Sequence, residues 1–143
     1  MKKLKKLLAL GAAAMMLVGS ASLPVSAIAA NTASTGWSSN VEPTKISMTT
    51  SLRAKNDASS TYVYYKSGTK SYFICDVLNS DGVSQCRKTG VLHKGEKGLI
   101  VQYVYENGYR SCMLKLTASD VSYGGGTGHW SPDSTGTYRV INK

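Results

Sequence analysis

Three cysteines and two histidines carry the side chains best suited to nucleophilic or metal chemistry in this chain: Cys75, Cys86, Cys112, His93 and His129. A nucleophilic thiol must become thiolate, which needs a neighbouring base or other positive influence. Neither histidine lies close in sequence to a cysteine. No C-x-x-C or H-x-x-x-H spacing occurs, so no zinc site is signalled. The stretch GGGTGHWSPDSTG, residues 124–136, is the other candidate. A phosphate cradle needs glycines after a strand and a helix starting at the end of the loop. Here Pro132 works against both a normal strand and a helix at Ser131, and no Lys-Ser or Lys-Thr follows. Asp133 is one carboxylate in a turn, and one carboxylate makes no calcium site. The sequence therefore assigns no catalytic residue, no metal and no cofactor, and it reads as non-enzymatic.

The chain has an address at its start. MKKLKK is a basic head, residues 7–18 are apolar and uncharged, and Ala27-Ile28-Ala29 is an A-x-A cleavage pattern. The apolar run of 12 residues is shorter than the roughly 20 that a membrane span needs. Residues 1–30 are thus expected to be a signal peptide, cleaved after Ala29 or Ala30, with Ala27 a weaker possible site. From 143 residues, loss of 30 leaves 113. Loss of the four lysines in that segment lowers the net charge from +9 to +5. No second apolar segment follows, so the processed chain is expected to be secreted, extracellular and without a transmembrane segment. One domain of this size buries a core unaided.

The positions of these residues depend on strands. Residues 31–43 are small and polar apart from Trp37 and Val41, and read as a flexible lead-in. From residue 44 to 143 the pattern has period two, with turn signals every 8 to 12 residues and no helical periodicity. The expectation is an all-β domain: a single antiparallel β-sandwich or partly open barrel of about seven strands. LIVQYVYENGYRSCMLKL, residues 99–116, reads as a hairpin with Asn107-Gly108 in a type I′ turn. That register pairs Tyr103 with Cys112, Val101 with Leu114 and Leu99 with Leu116, and aims Cys112 into the core. A four-residue loop at 79–82 would place Cys75 opposite Cys86 and permit a disulfide; a three-residue loop with a glycine bulge would shift the register by one and forbid it. TGTYRVI, residues 135–141, reads as a last strand.

The stretch at 124–136 then reads as a long flexible loop ending in a Pro-Asp turn. Trp130 has two readings. Its indole covers one end of the sandwich, or it is displayed with Pro132, Asp133 and Ser134 as a loop for a partner, a sugar ring or a membrane interface. Nine tyrosines stand against one phenylalanine. Tyr62 and Tyr64 share one strand face and Tyr65 takes the other; tyrosine suits half-buried strands, which accounts for most of the nine, and the alternative reading is a stacking surface for polysaccharide.

RAKNDASSTY (53–62), VYENGY (104–109) and GHWSPDS (128–134), behind a signal peptide, resemble a family of small secreted proteins of Gram-positive bacteria with a C-terminal G-x-W-S-P-D-S motif. The resemblance implies export and a shared β fold, and it carries no catalytic residue across. The functional expectation is a secreted domain that meets the cell envelope or another extracellular surface: an anionic cell-wall polymer, a membrane surface or a polysaccharide. The alternative is a bacteriocin-like effector acting on other bacteria. Nucleic acid is not an expected partner after export.

Overall fold

The computed structural model describes residues 28–143. The expected signal peptide falls outside them, apart from its last three residues. Every regular element among the described residues is a strand: β1 Thr35–Val41, β2 Ser47–Thr49, β3 Arg53–Ala54, β4 Thr61–Gly68, β5 Tyr72–Asn79, β6 Gly90–His93, β7 Lys97–Ile100, β8 Ser111–Ala118 and β9 Gly124–Ser131. No helix among them is long and apolar enough to cross a membrane. One sheet runs β1-β9-β4-β7; the other runs β2-β8-β5-β6, with β3 also paired to β8. All strand pairs are antiparallel. The architecture is a β-sandwich, not a closed barrel, with nine short strands among the described residues where about seven were expected.

Alternation builds the core. Along β8, Cys112, Leu114, Leu116 and Ala118 are buried while Ser111, Met113, Lys115 and Thr117 are half-buried on the other side, as period two requires. Val63 and Tyr65 enter from β4, and Phe73, Cys75 and Val77 from β5. Trp37, Tyr65 and Phe73 meet edge-on or tilted, with ring centroids 5.0 to 5.8 Å apart, an arrangement worth about 0.5–1.5 kcal/mol per pair beyond burial.

The lead-in and the glycine loop are both strands. In β1 the inward residues are Trp37, Ser39 and Val41; a serine in the middle position hides the alternation. Its partner is β9, and the register runs from Thr35 opposite Trp130 to Val41 opposite Gly124. So β9 is a central strand between β1 and β4, not a flexible loop. The glycines are a packing requirement. A methyl group on Gly126 would stand 2.6 Å from a Phe73 ring carbon and 2.7 Å from one of Tyr65, and on Gly128 it would collide with the Tyr64 carbonyl. The aromatic cluster lies on a strand stripped of side chains.

The hairpin at 99–116 does not form. β7 pairs with β4 in one sheet and β8 with β5 in the other, so residues 101–110 cross between sheets. Ile100, Gln102 and Val104 are buried, while Val101 is exposed and Leu99 and Tyr103 are half-buried. That is the opposite face to the one expected. Both parities of LIVQYVY carry apolar residues, and the buried one admits Gln102 because its amide donates to the Ser59 carbonyl and accepts the Val104 N–H, each at 2.9 Å. Around Asn107-Gly108, the Gly108 N–H reaches the Tyr105 carbonyl at 3.0 Å and the Tyr109 N–H reaches that of Val104 at 3.0 Å. This pairing is a Schellman motif, and Gly108, with φ +88°, takes its left-handed position. Cys112 is nonetheless fully buried.

The shorter loop closes β5. The Asn79 N–H donates to the Val83 carbonyl at 2.9 Å, Leu78 bridges Ser84, and Gly82 sits at φ +77°. Cys75 then lies opposite Gly90, not Cys86, and Cys75, Cys86 and Cys112 are free thiols. The disulfide expectation is corrected: the loop shifts the register by one residue at Leu78 and Ser84, and three further residues loop out before β6, so Cys75 meets Gly90. Residues 135–141 make no strand; one parallel bridge joins Val140 to Leu99.

Candidate functional site

Two of the three quoted motifs meet at one end of the sandwich and knot together. Asp133 is fully buried, and so is Lys55, 78 positions away. The Lys55 Nζ donates to Asp133 Oδ1 at 2.5 Å and to the Ser59 carbonyl at 2.6 Å. Asp133 Oδ2 accepts the backbone N–H of Asn56 at 3.0 Å and that of Asn31 at 2.6 Å. Both carboxylate oxygens are therefore partnered, which a buried charge needs. The Thr61 hydroxyl donates to the Pro132 carbonyl at 3.1 Å, and the Ser134 N–H to the Ser59 hydroxyl at 3.0 Å. Arg53 donates to the Trp130 carbonyl at 3.1 Å, with its guanidinium 5.4 Å from the indole centroid. Arg110, the residue that follows the third motif, borders the knot, because its carbonyl accepts the Lys55 N–H at 2.9 Å.

Burial decides the reading of this loop. Trp130, Pro132 and Asp133 are buried and Ser134 is half-buried. Trp130 is 1% exposed. The indole covers the end of the core; Trp130, Pro132 and Asp133 are enclosed, and Ser134 stays half-buried at the rim. At the rim, burial raises the Asp57 carboxyl, but the Ser59 hydroxyl and N–H together with Lys55 outweigh it and leave the carboxyl below its usual range.

The thiols show no activation. Burial pushes the Cys86 thiol up to about 12. Burial likewise raises Cys112 to about 12, against the pull of Lys55. Cys75, completely enclosed, goes higher still. All three are protonated at neutral pH and behave as small apolar groups. His93 and His129 stand on exposed positions of β6 and β9, and no group of three metal-ligating side chains occurs among the described residues.

The outer face of the four-stranded sheet is different in kind. Because side chains alternate, Tyr65 points inward while Tyr62 and Tyr64 point out. Tyr64 lies opposite His129 on one neighbour and Lys97 on the other. His129 stacks on it with 19° between ring planes and centroids 6.5 Å apart. The Lys97 ammonium stands 5.2 Å from the same ring centre. Tyr62 meets Tyr138 of the C-terminal segment at 5.1 Å. Burial, then the phenols of Tyr138 and Tyr64, push the Tyr62 phenol up, so it stays a neutral donor. Beside this pair opens a shallow cleft of about 240 Å³, edged by Thr32, Ser34, Ser131, Ser134 and Thr135. The face thus offers rings, hydroxyls and a cation in one open row. Pattern reasoning separated Tyr62 and Tyr64 from Tyr65, but it missed His129, Lys97 and Tyr138. Their convergence depends on strand order, which no local signal carries.

No curated protein and no solved structure matches the chain. A family model matches residues 24–134, a span that takes in all three motifs and ends on Ser134. On that match, over most of its length, the chain belongs to the family described as Protein of unknown function (DUF2712).

Proposed function

We propose that this is a secreted, non-enzymatic β domain that binds a polysaccharide-bearing polymer of the cell envelope through the outer face of its four-stranded sheet. The observation that carries the reading is the row Tyr138–Tyr62 and His129–Tyr64–Lys97, exposed or half-buried along the outer side of that sheet. Flat rings offer an apolar surface to a sugar ring, and neighbouring hydroxyls and amines offer hydrogen bonds. Export is supported by the basic head, the apolar run and the A-x-A pattern of residues 1–30. The net charge of +5 on the processed chain favours an anionic polymer. Each basic residue held near such a surface contributes about 1 kcal/mol, screened over about 8 Å at physiological salt. The protonated thiols support a non-enzymatic role.

The test is retention of the processed domain on purified cell walls across a salt series. The reading expects binding at low salt that weakens as salt rises, and a loss of about tenfold or more in the Tyr62→Ala/Tyr64→Ala variant. No retention at low salt would contradict it. Growth inhibition of related strains by the purified domain, without wall retention, would support the effector alternative instead.

A further inference from the structure

Asn31 is the residue expected to become the first of the processed chain, and all four of its polar atoms are bound. Its backbone N–H donates to Asp133 Oδ2 at 2.6 Å, and its carbonyl accepts the Asp133 N–H at 3.3 Å. Its side-chain amide donates to the Ala54 carbonyl at 2.7 Å and accepts from Arg53 at 3.4 Å. Arg53 also donates to the Ala33 carbonyl at 2.7 Å. Upstream, Ala30 is half-buried and Ile28 and Ala29 are exposed, with the Ala29 carbonyl accepting one bond from the Asn56 side-chain amide at 2.8 Å. The bonds are thus densest at Asn31, which cleavage after Ala30 makes the first residue.

We propose that Asp133 is the receptor for a new α-ammonium group at Asn31, created when a peptidase hydrolyses the Ala30–Asn31 bond. One water is consumed; Ala30 leaves with a carboxylate, and Asn31 gains an amine that takes up a proton at neutral pH. The hydrogen bond at 2.6 Å then changes from a neutral N–H donor to a charged one, on a fully buried carboxylate. Charge-assisted bonds are roughly twice as strong as neutral ones. Asp133 contacts the position directly and Arg53 holds its side chain, while Lys55 sits on the other oxygen of Asp133 and Asp57 lies 3.8 Å from the Lys55 ammonium, one contact further out. Direct contact with the carboxylate decides the balance, since Coulomb energy falls with distance and grows out of water. The proposal goes beyond polymer binding and rests instead on Ala30–Asn31 as the cleavage point.

Two measurements test it. N-terminal sequencing of the exported protein is expected to return Asn31 as the first residue; any other start overturns the proposal while leaving wall binding untouched. Melting is then compared at pH 7 for the chain starting at Asn31, the same chain Nα-acetylated, and one that retains Ala30. The free amine is expected to melt higher than both by about 5 °C, the size of shift that one such interaction gives in a domain of this length. A free α-amine ordinarily titrates near 7.7–8.0. A carboxylate contact raises that value in the folded state, so the advantage is complete below about pH 7.5 and vanishes as pH rises through the raised value. Equal melting of all three chains at pH 7, or a gap that persists unchanged to pH 11, overturns the proposal. Because Asp133→Asn could unfold the domain, competitive amine labelling across pH gives a second readout on the unaltered chain. It is expected to place the Asn31 α-amine above 8.0, and a value at or below the ordinary range overturns the assignment.

Discussion

Two lysine–aspartate pairs share almost the same geometry and do different work. Lys55 and Asp133 lie 2.5 Å apart and Lys70 and Asp120 2.6 Å apart. In the first pair neither side chain meets solvent; in the second the Asp120 side chain is 51% exposed. Lys70 is itself buried, and its ammonium is also held by the Ser122 carbonyl and hydroxyl. Asp120 is held well below the usual carboxylate range by the bonds from Lys70 and Ser122. Yet its open side lets water take over if the contact is lost, which screens the interaction. Asp133 has no such recourse. Distance does not rank the two pairs; enclosure does.

That contrast breaks first at Asp133. Asp133→Ala strands the Lys55 ammonium in a sealed site and is expected to cost about 3–5 kcal/mol, read from urea unfolding. Lys55→Ala is expected to cost a similar amount. Next comes the aromatic floor. Gly126→Val places atoms where the Phe73 and Tyr65 rings already lie, and overpacking of this kind costs about 1–3 kcal/mol, more if the strand cannot yield. Loss of near-ultraviolet dichroism would accompany it.

Acid provides a milder probe. Asp57, Glu96 and Asp120 all titrate below their ordinary values in the folded chain. For Glu96, burial works upward but is outweighed by the His93 N–H and Arg139. The unfolded chain therefore takes up protons first as pH falls. Stability is expected to be flat above about pH 5 and to decline below about pH 4, through the lowered folded values. Urea midpoints taken from pH 7 to pH 2 check this. The smallest effect is expected for Asp120→Asn, whose midpoint should move by less than a third of the Asp133→Ala shift. An equal shift would remove the distinction between the pairs.

Much of this fold was legible from residue patterns, and the failures have physical causes. Alternation placed Cys112 inside and separated Tyr65 from Tyr62 and Tyr64, because one face of each strand meets the core. It failed at LIVQYVY, where the inward face carries Gln102 and both faces hold apolar residues, and at β1, where Ser39 occupies an inward position. The glycines of β9 resembled a loop because the rings that require them belong to β1, β4 and β5. Asp133 and Lys55 stood inside quoted motifs, but partners 78 residues apart leave no local trace of each other. The candidate binding face was half legible: two tyrosines could be read, and the neighbours that complete the row could not.

The proposed division of labour is the central claim: Lys55, Asp133 and their partners hold one end of the sandwich shut, and the outer sheet face, with Tyr62 and His129, is the contact surface. Backbone and side-chain NMR shifts of the processed domain, titrated with solubilised envelope polysaccharide, test it most directly. Perturbations centred on Tyr62, Tyr64, Lys97, His129 and Tyr138 are predicted. Perturbations centred on the β2-β8-β5-β6 sheet, or on the Arg87, Lys88 and Lys143 surface, would contradict it.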